Sequence, residues 1–385
     1  MAAQPAERSF DVIVVGAGIM GSCAAHAAAS RGARVLLLEH GGRGGVMKAT
    51  KAVAMFQALA AKMGAVVRDR TEVVDVARKG EGTTATIVVK TATGEEFHGG
   101  KCIITVGAWT SKLVKSVTGG VIKATKAVAM FQALAAKMGA VVRDRTEVID
   151  VAKQGEGTKI VVKTSSGEKF HGAKCIITVG AWTSKLVKSV TGFDLPVQPL
   201  HTLLCYWKLK PGHKRELTTE AGFPTFSSYG DPCIYSTPSM EYPGLIKIAM
   251  HGGPPCDPDS RGWTIGTGEG VGGLADPVAR WIDEVMPGHV DTAGGPVLRQ
   301  ACMYSMTPDE DFVIDFLGGE EFGRDVVVGA GFSGHGFKMG PAVGRILAEM
   351  ALDGESGTAA EAGVELRHFS IRRVDGNPTG NARSF

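Results

Sequence analysis

The chain has 385 residues, 44% of them hydrophobic and 21% charged, enough to bury one large or two ordinary cores. Its net charge of +3 gives no ground for a nucleic-acid or anionic-membrane partner. No apolar run approaches the roughly 20 residues of a membrane helix. Seven cysteines (Cys23, Cys102, Cys175, Cys205, Cys233, Cys256 and Cys302) are odd in number and form no C-x-x-C. That argues against a disulfide framework and against a structural zinc site. The start, MAAQPAERSF, has no basic region followed by an apolar signal core, so the expectation is an intracellular protein with free thiols.

In chain order, SFDVIVV (9–15) is a short apolar, β-branched run, the pattern of a buried parallel strand. GAGIMGS follows, with Gly16, Gly18 and Gly21 in G-x-G-x-x-G spacing around Ile19 and Met20. An alanine-rich helix, CAAHAAASRG, stops at Gly32, and a second strand, ARVLLLE, ends in Glu39. Gly16 permits the tight turn, Gly18 lets a pyrophosphate reach the backbone, and Gly21 lets helix and strand pack closely. The helix N-terminus offers N–H groups and its positive dipole end to phosphate. Glu39, 18 residues beyond Gly21, stands where an acid accepts hydrogen bonds from ribose hydroxyls. A bare strand-to-helix turn would leave Glu39 unexplained. An acid there also disfavours a 2′-phosphate, so NAD or FAD is expected rather than NADP.

Next comes a duplication. Residues 46–73 match 121–148 with one change, Met47 against Ile122, and 101–119 match 174–192 completely. Each copy reads as a helix (KATKAVAMFQALAAKMG), a strand (AVVRDRTEV), a hairpin and an apolar strand (KCIITVGAW). Two modules in different surroundings would need different buried residues, and neither copy shows such tailoring. Two long copies do not make a solenoid. The second copy runs on into FDLPVQP, so it reads as the working one, with Val148 beside the dinucleotide site. The first has no slot of its own in a parallel sheet.

Between residues 193 and 300, LPVQPLHTLLCYWKLK, IYSTPS and GLIKIAMH read as strands of a mostly antiparallel sheet, and DPVARWIDEVMPG as a helix. Lys247 and His251, four apart on one strand, share a face. A lysine on an apolar strand is costly to bury unless paired or used, although an edge lysine can also snorkel. VVVGAGFSGHGFKMGPAVGRILAEMALDG (326–354) is strand, glycine-rich loop and helix, with Pro341 suited to the first helical turn and Gly354 as the stop. Lys338 adds positive charge near that helix start.

CMYSMTPDEDFVID, followed by GAGFSGHGFKMGPAVG, resembles the monomeric sarcosine oxidase and L-pipecolate oxidase family, especially its plant members. The resemblance covers residues 8–40 and roughly 121–380. It implies an α/β fold: a Rossmann-like FAD-binding domain joined to a second, mostly antiparallel β-sheet substrate domain. It implies oxidation of a small secondary amino acid by dioxygen to an imine and hydrogen peroxide, in a peroxisome or the cytoplasm, by a monomer. The implied cofactor is FAD, bound covalently through Cys302, with Gly331, Gly334, His335, Gly336, Phe337 and Lys338 around it. Lys247 would lie over the flavin and assist reduction of dioxygen, and His251 would sit beside the substrate. On composition alone, Cys302 reads as a buried small hydrophobe, and His251 and His335 as satisfied structural histidines.

The expected division is 1–45, 121–192 and 301–385 for the FAD-binding domain, 46–120 for the duplicated copy, and 193–300 for the substrate domain. One departure stands out. The family follows its second strand with a serine-rich GSSHGxSRxIR loop that holds the flavin and clamps the substrate carboxylate. Here Glu39 leads into HGGRGGVMKATK, where Arg43 is the nearby cation. The alternative expectation is therefore a catalytically inactive or misassembled relative. The end, GNARSF, is not a peroxisomal address.

Overall fold

The computed structural model describes residues 9–40, 73–79, 86–91, 94–99, 124–154, 159–260 and 272–381. The chain opens with β1 (Ser9–Val15), α1 (Ile19–Ser30) and β2 (Val35–Leu38). The first repeat copy contributes β3 (Val73–Lys79), β4 (Thr86–Thr91) and β5 (Glu96–Gly99). The second contributes α2 (Ala124–Lys137), β6 (Val141–Arg143), β7 (Val148–Gln154), β8 (Lys159–Thr164), β9 (Lys169–Ile177) and α3 (Thr183–Thr191). Then come β10 (Gln198–Leu209), β11 (Phe226–Ser228), β12 (Ile234–Thr237), β13 (Leu245–Met250), α4 (Asp276–Val285) and β14 (Val290–Asp291). The chain closes with β15 (Leu298–Met306), β16 (Val313–Phe316), the single turn α5 (Gly319–Phe322), β17 (Val326–Ala330), α6 (Gly340–Asp353) and α7 (Gly357–Glu361).

Strands run β16-β17-β9-β1-β2-β6 across the larger sheet, with β8 added to β9 and β7 to β8. From β17 to β6 the pairing is parallel. β2 (VLLL) and β17 (VVVGA) are apolar throughout and wholly buried because both faces are covered. Val12, Val14 and Leu37 pack against α1 and α6; Ile13, Val15, Leu36 and Leu38 pack against Val162, Phe170 and Leu186. A second, antiparallel sheet runs β11-β12-β13-β10-β14, with β15 along β10. Its odd-numbered β10 residues Leu203, Cys205, Trp207 and Leu209 join Ile246, Ile248 and the α4 residues Val278 and Ile282 in a core of their own. The opposite face carries the chemistry. This is the α/β plan with an antiparallel second sheet that the sequence implied.

The two repeat copies have different fates. The second supplies four strands to the larger sheet, whereas β3, β4 and β5 pair only with one another. The first copy's local pairing reproduces the second's, down to the register shift at Val73/Asp75 and at Val148/Asp150. Closely similar strands (VVDVARK against VIDVAKQ, TIVVKT against KIVVKT) give the same local pairing; the tertiary slot goes to one copy. The remainder of the first copy lies outside the described residues.

Two sequence expectations need correction. AVVRDRTEV is not one strand: β6 ends at Arg143 and β7 begins at Val148. Arg145 turns left-handed (φ 49°), and Thr146 Oγ1 donates to the Asp144 carbonyl at 2.9 Å. The apolar strand also stops at Ile177 instead of running through Trp182. Gly180 has φ +58° and opens a 3-10 turn that feeds α3. The six cysteines among the described residues are all free thiols, and no described helix is long and apolar enough to cross a membrane.

The segment after α7 is tied to the TPDED turn by a buried ion pair. Arg373 Nε and Nη2 donate to the two oxygens of Asp309 at 2.7 Å each, with side chains 6% and 0% exposed. Burial pushes the Asp309 carboxyl up, and hydrogen bonds from Arg373 and the Asn381 N–H more than offset that, holding it at about 2. A carboxyl lowered by folding stabilises above its ordinary 3.8, and that contribution is lost as pH falls through about 2. Arg373→Ala would leave the carboxylate buried and unpaired, and should cost about 3–5 kcal/mol in urea unfolding at pH 7. An unchanged midpoint would show that water replaces the guanidinium.

Candidate active site

The dinucleotide end is built from β1, α1, β2 and the second repeat copy. Gly16 (φ +95°) turns the chain out of β1, and Gly18 is the residue before α1. Ile19, Met20 and Gly21 form the first turn of α1. A Cβ on Gly21 would overlap the Gly16 carbonyl oxygen and crowd Thr178 Oγ1 at 2.6 Å, so only glycine lets the helix start this close to the strand. Around Gly18 a Cβ would meet nothing within 4 Å, which is the room a phosphate needs at that helix end. Glu39 Oε2 accepts from the Ala17 N–H at 2.6 Å, fixing the carboxylate beside the turn.

Sequence reasoning missed two supports here, both from the second copy. Gln132 Nε2 donates to the Ala17 carbonyl at 2.9 Å, and Thr178 Oγ1 lies 3.1 Å from the Val15 and Gly16 carbonyls. Val148 opens β7 just past Thr146, whose N–H donates to the Glu39 carbonyl at 2.6 Å.

The chemical end lies on the face of the antiparallel sheet away from its core. Register places Tyr206 opposite Lys247, Thr202 opposite Cys302, and Lys247 opposite Thr237. Because side chains alternate, Lys247, Tyr235, Cys302 and Tyr304 all face the same side, with His251 following at the end of β13. Strands 55 residues apart in sequence (Lys247 to Cys302) are thus brought together. The Lys247 ammonium lies 5.8 Å from the Tyr235 ring centroid. Burial pushes the lysine's pKa down, with the Glu241 carboxylate pulling it back, and burial pushes the Cys302 thiol up, with Lys247 opposing. Tyr235 and Tyr304 share a hydrogen bond, and burial raises both phenols. His251 lies against Tyr304 at 5.1 Å between ring centroids.

The two tyrosines and the Tyr206–Glu241 hydrogen bond were not singled out from sequence. Tyr304 was within reach, since it lies two residues beyond Cys302 on a strand. Tyr235 was not, because only the sheet register brings it there.

The glycine-rich loop joins the two ends. Gly331 (φ +60°) leaves β17, and Gly334 (φ +76°) passes so close to the sheet that a Cβ would sit 2.5 Å from Tyr304 and 2.8 Å from His251 Cε1. Between them Ser333 is fully buried; its N–H donates to the Ser305 carbonyl at 3.0 Å and its hydroxyl to the Gly331 carbonyl at 3.0 Å. His335 is exposed, with Nδ1 3.0 Å from the Ser333 carbonyl and its ring 5.0 Å from Phe312. Gly336 precedes the turn Phe337–Met339, in which Lys338 is exposed, and α6 starts at Gly340 with Pro341 in its first turn. Arg43 and the segment standing where the family's serine-rich loop would be lie outside the described residues.

Thr202 Oγ1, on the same face as Cys302, is fully buried and has no hydrogen-bond partner among the described residues. Buried hydroxyls are ordinarily satisfied, so this one fits a site completed by a bound polar group. The cradle at α1, the anchored Glu39 and the polar face at Lys247 together fit an extended dinucleotide with its reactive ring over the sheet. The class so defined is a dinucleotide-dependent oxidoreductase of the two-sheet kind.

Comparison with known proteins narrows the class. A family described as FAD dependent oxidoreductase matches residues 114–350, and a second of the same description matches 11–178. A probable sarcosine oxidase of Arabidopsis thaliana is 47% identical, over 98% of this chain and 95% of that one. The peroxisomal sarcosine oxidase of Homo sapiens is 34% identical over 61% of this chain and 57% of its own length. In fold, the L-proline dehydrogenase of P. horikoshii superposes with a TM-score of 0.59 at 18% identity, over 98% of this chain and all of that one. The chain belongs to the FAD-dependent oxidoreductases and, among them, to the sarcosine oxidase family.

Proposed function

We propose that the protein oxidises a small secondary amino acid, of the sarcosine or L-pipecolate type, with dioxygen, giving an imine and hydrogen peroxide. The observation that carries this is the single face holding Lys247, Tyr235, Cys302, Tyr304 and His251, closed by the Gly331–Gly334 loop. Bound FAD supplies the two-electron acceptor that dioxygen regenerates. The residues supply position and charge. The α1 N-terminus and Gly18 hold the pyrophosphate, and Glu39 takes the ribose hydroxyls. Cys302 Sγ anchors the flavin through a thioether. Lys247 holds a positive charge where oxygen gains electrons, in surroundings dry enough to lower its pKa. His251 orients the substrate. Lys338 and the α6 N-terminus would add positive potential for the negative charge of the reduced flavin.

The same reading assigns 1–45, 121–192 and 301–385 to the FAD-binding domain and 193–300 to the substrate domain, with 46–120 a spare copy. It includes a monomer and a peroxisomal location, the latter supported by the human relative's name. The test is acid precipitation of the purified holoenzyme followed by a peroxide assay. The pellet should stay yellow for the parent and turn colourless, with flavin in the supernatant, for Cys302→Ser. Peroxide should appear with sarcosine or L-pipecolate. A yellow protein that releases no peroxide with either would favour the inactive-relative reading, and a colourless parent pellet would remove the thioether.

A further inference from the structure

Away from the flavin face, the second sheet carries a group of side chains that the oxidase reading does not use. His213 and Glu216 lie in the loop after β10, and His289 lies in the turn between α4 and β14. His213 Nδ1 is 2.8 Å from Glu216 Oε2, and His289 Nε2 is 3.8 Å from the same oxygen. All three donor atoms fall within 4.8 Å of one another. The two rings meet edge to face, 4.6 Å between centroids. We propose that His213, Glu216 and His289 form a surface site for a borderline divalent metal ion, with zinc the best fit.

Donor chemistry and spacing both point there. Two imidazoles and one carboxylate suit zinc; magnesium and calcium take oxygen sets. Tetrahedral zinc with bonds of about 2.0–2.2 Å holds its donors roughly 3.4 Å apart, and the separations of 2.8 and 3.8 Å lie on either side of that value. The backbone already fixes both histidines. Lys210 N–H donates to the His289 carbonyl at 2.8 Å, His213 N–H to the Lys210 carbonyl at 3.2 Å, and His289 N–H to the Met286 carbonyl at 3.0 Å. β10 pairs with β14 immediately alongside, at Leu209 and Val290. The site is therefore largely assembled before an ion arrives. The group is half-exposed at the sheet edge, which leaves coordination positions for water. Its role is a clasp across the β10–β14 edge, joining loops 76 residues apart (213 to 289). It is independent of the flavin.

The test uses the holoenzyme, stripped with a chelator and then exposed to zinc chloride. Bound zinc after gel filtration should be about one per chain, and Tm should rise with zinc concentration, because an ion bound only by the folded state stabilises it by mass action. Magnesium should give no shift. His213→Gln and His289→Gln should each retain the parent's metal-free Tm and flavin spectrum while losing at least tenfold in zinc affinity. Retention of the zinc response in both variants, or no bound zinc in the parent, would overturn the site. Should one variant fold poorly, Glu216→Gln supplies the same comparison at the most exposed of the three positions.

Discussion

Lys247→Met is expected to slow reoxidation of the reduced enzyme by dioxygen by a factor on the order of 10²–10³. Anaerobic reduction by substrate should change by less than about tenfold. The reason lies in where the charge sits. Lys247 is on β13, opposite Tyr206 and Thr237, on the face that also holds Cys302 and Tyr304. Methionine keeps the aliphatic stem and removes the ammonium, so packing is nearly conserved. The sign of the stability effect follows from the lowered pKa. The ordinary value is 10.5, and burial lowers it in the fold. Below the folded pKa the lysine is charged in both states, and only the folded state suffers the desolvation penalty. Stability therefore rises with pH as the folded pKa is passed and levels off above 10.5. At pH 7 the methionine variant should accordingly be at least as stable as the parent while failing at oxygen reduction. Stopped-flow measurement of the two half-reactions, with a thermal melt, checks both parts. Equal losses in both half-reactions would move Lys247 from oxygen chemistry to substrate binding.

Gly21→Ala should abolish flavin binding and lower the unfolding free energy by about 3 kcal/mol or more, because the added methyl meets rigid backbone. Its Cβ would collide with the Gly16 carbonyl oxygen and with Thr178, so α1 must retreat from β1. Gly18→Ala separates the structural reason from the ligand reason. Gly18 has φ −63° and open space around a built Cβ, so its alanine variant should keep the melting temperature of the flavin-free parent. It should still lose cofactor affinity, since the methyl occupies the space where a phosphate meets the backbone. Flavin content by the ratio of visible to ultraviolet absorbance, with a thermal melt, distinguishes the two. Full flavin content in Gly18→Ala would place the pyrophosphate elsewhere.

The β1–α1–β2 unit was legible because each of its signals is local. An apolar run, three glycines at fixed spacing and a terminal acid are all decided within 31 residues, Ser9 to Glu39, and the structure keeps their order, although α1 starts earlier, at Ile19, and β2 stops at Leu38, one residue before Glu39. The pairing of Lys247 with His251 on one face was legible for the same reason, since alternation along a strand needs no partner. The break inside AVVRDRTEV was not legible. Nothing in VVRDRTEV says that β6 must end to stay beside β2 while β7 leaves to pair with β8.

The repeat shows the division most clearly. Its two copies differ at one position in 46–73 against 121–148, and the strands that follow differ by changes such as Val74 against Ile149 and Arg78 against Lys153 that leave the local pairing the same. The second copy feeds directly into β10, and its β9 lies between β1 and β17; the first copy's described strands pair among themselves. By itself, the sequence determined the dinucleotide fingerprint, the strand that carries Lys247, and the strand, glycine-rich loop and helix of residues 326–354. Only the tertiary structure decided which copy fills the sheet, that Tyr235 and Tyr304 stand beside Lys247 and Cys302, and that His213 and His289 meet. Local propensity and spacing act over a few residues, whereas a slot in a sheet is filled once, by long-range packing that no short stretch encodes.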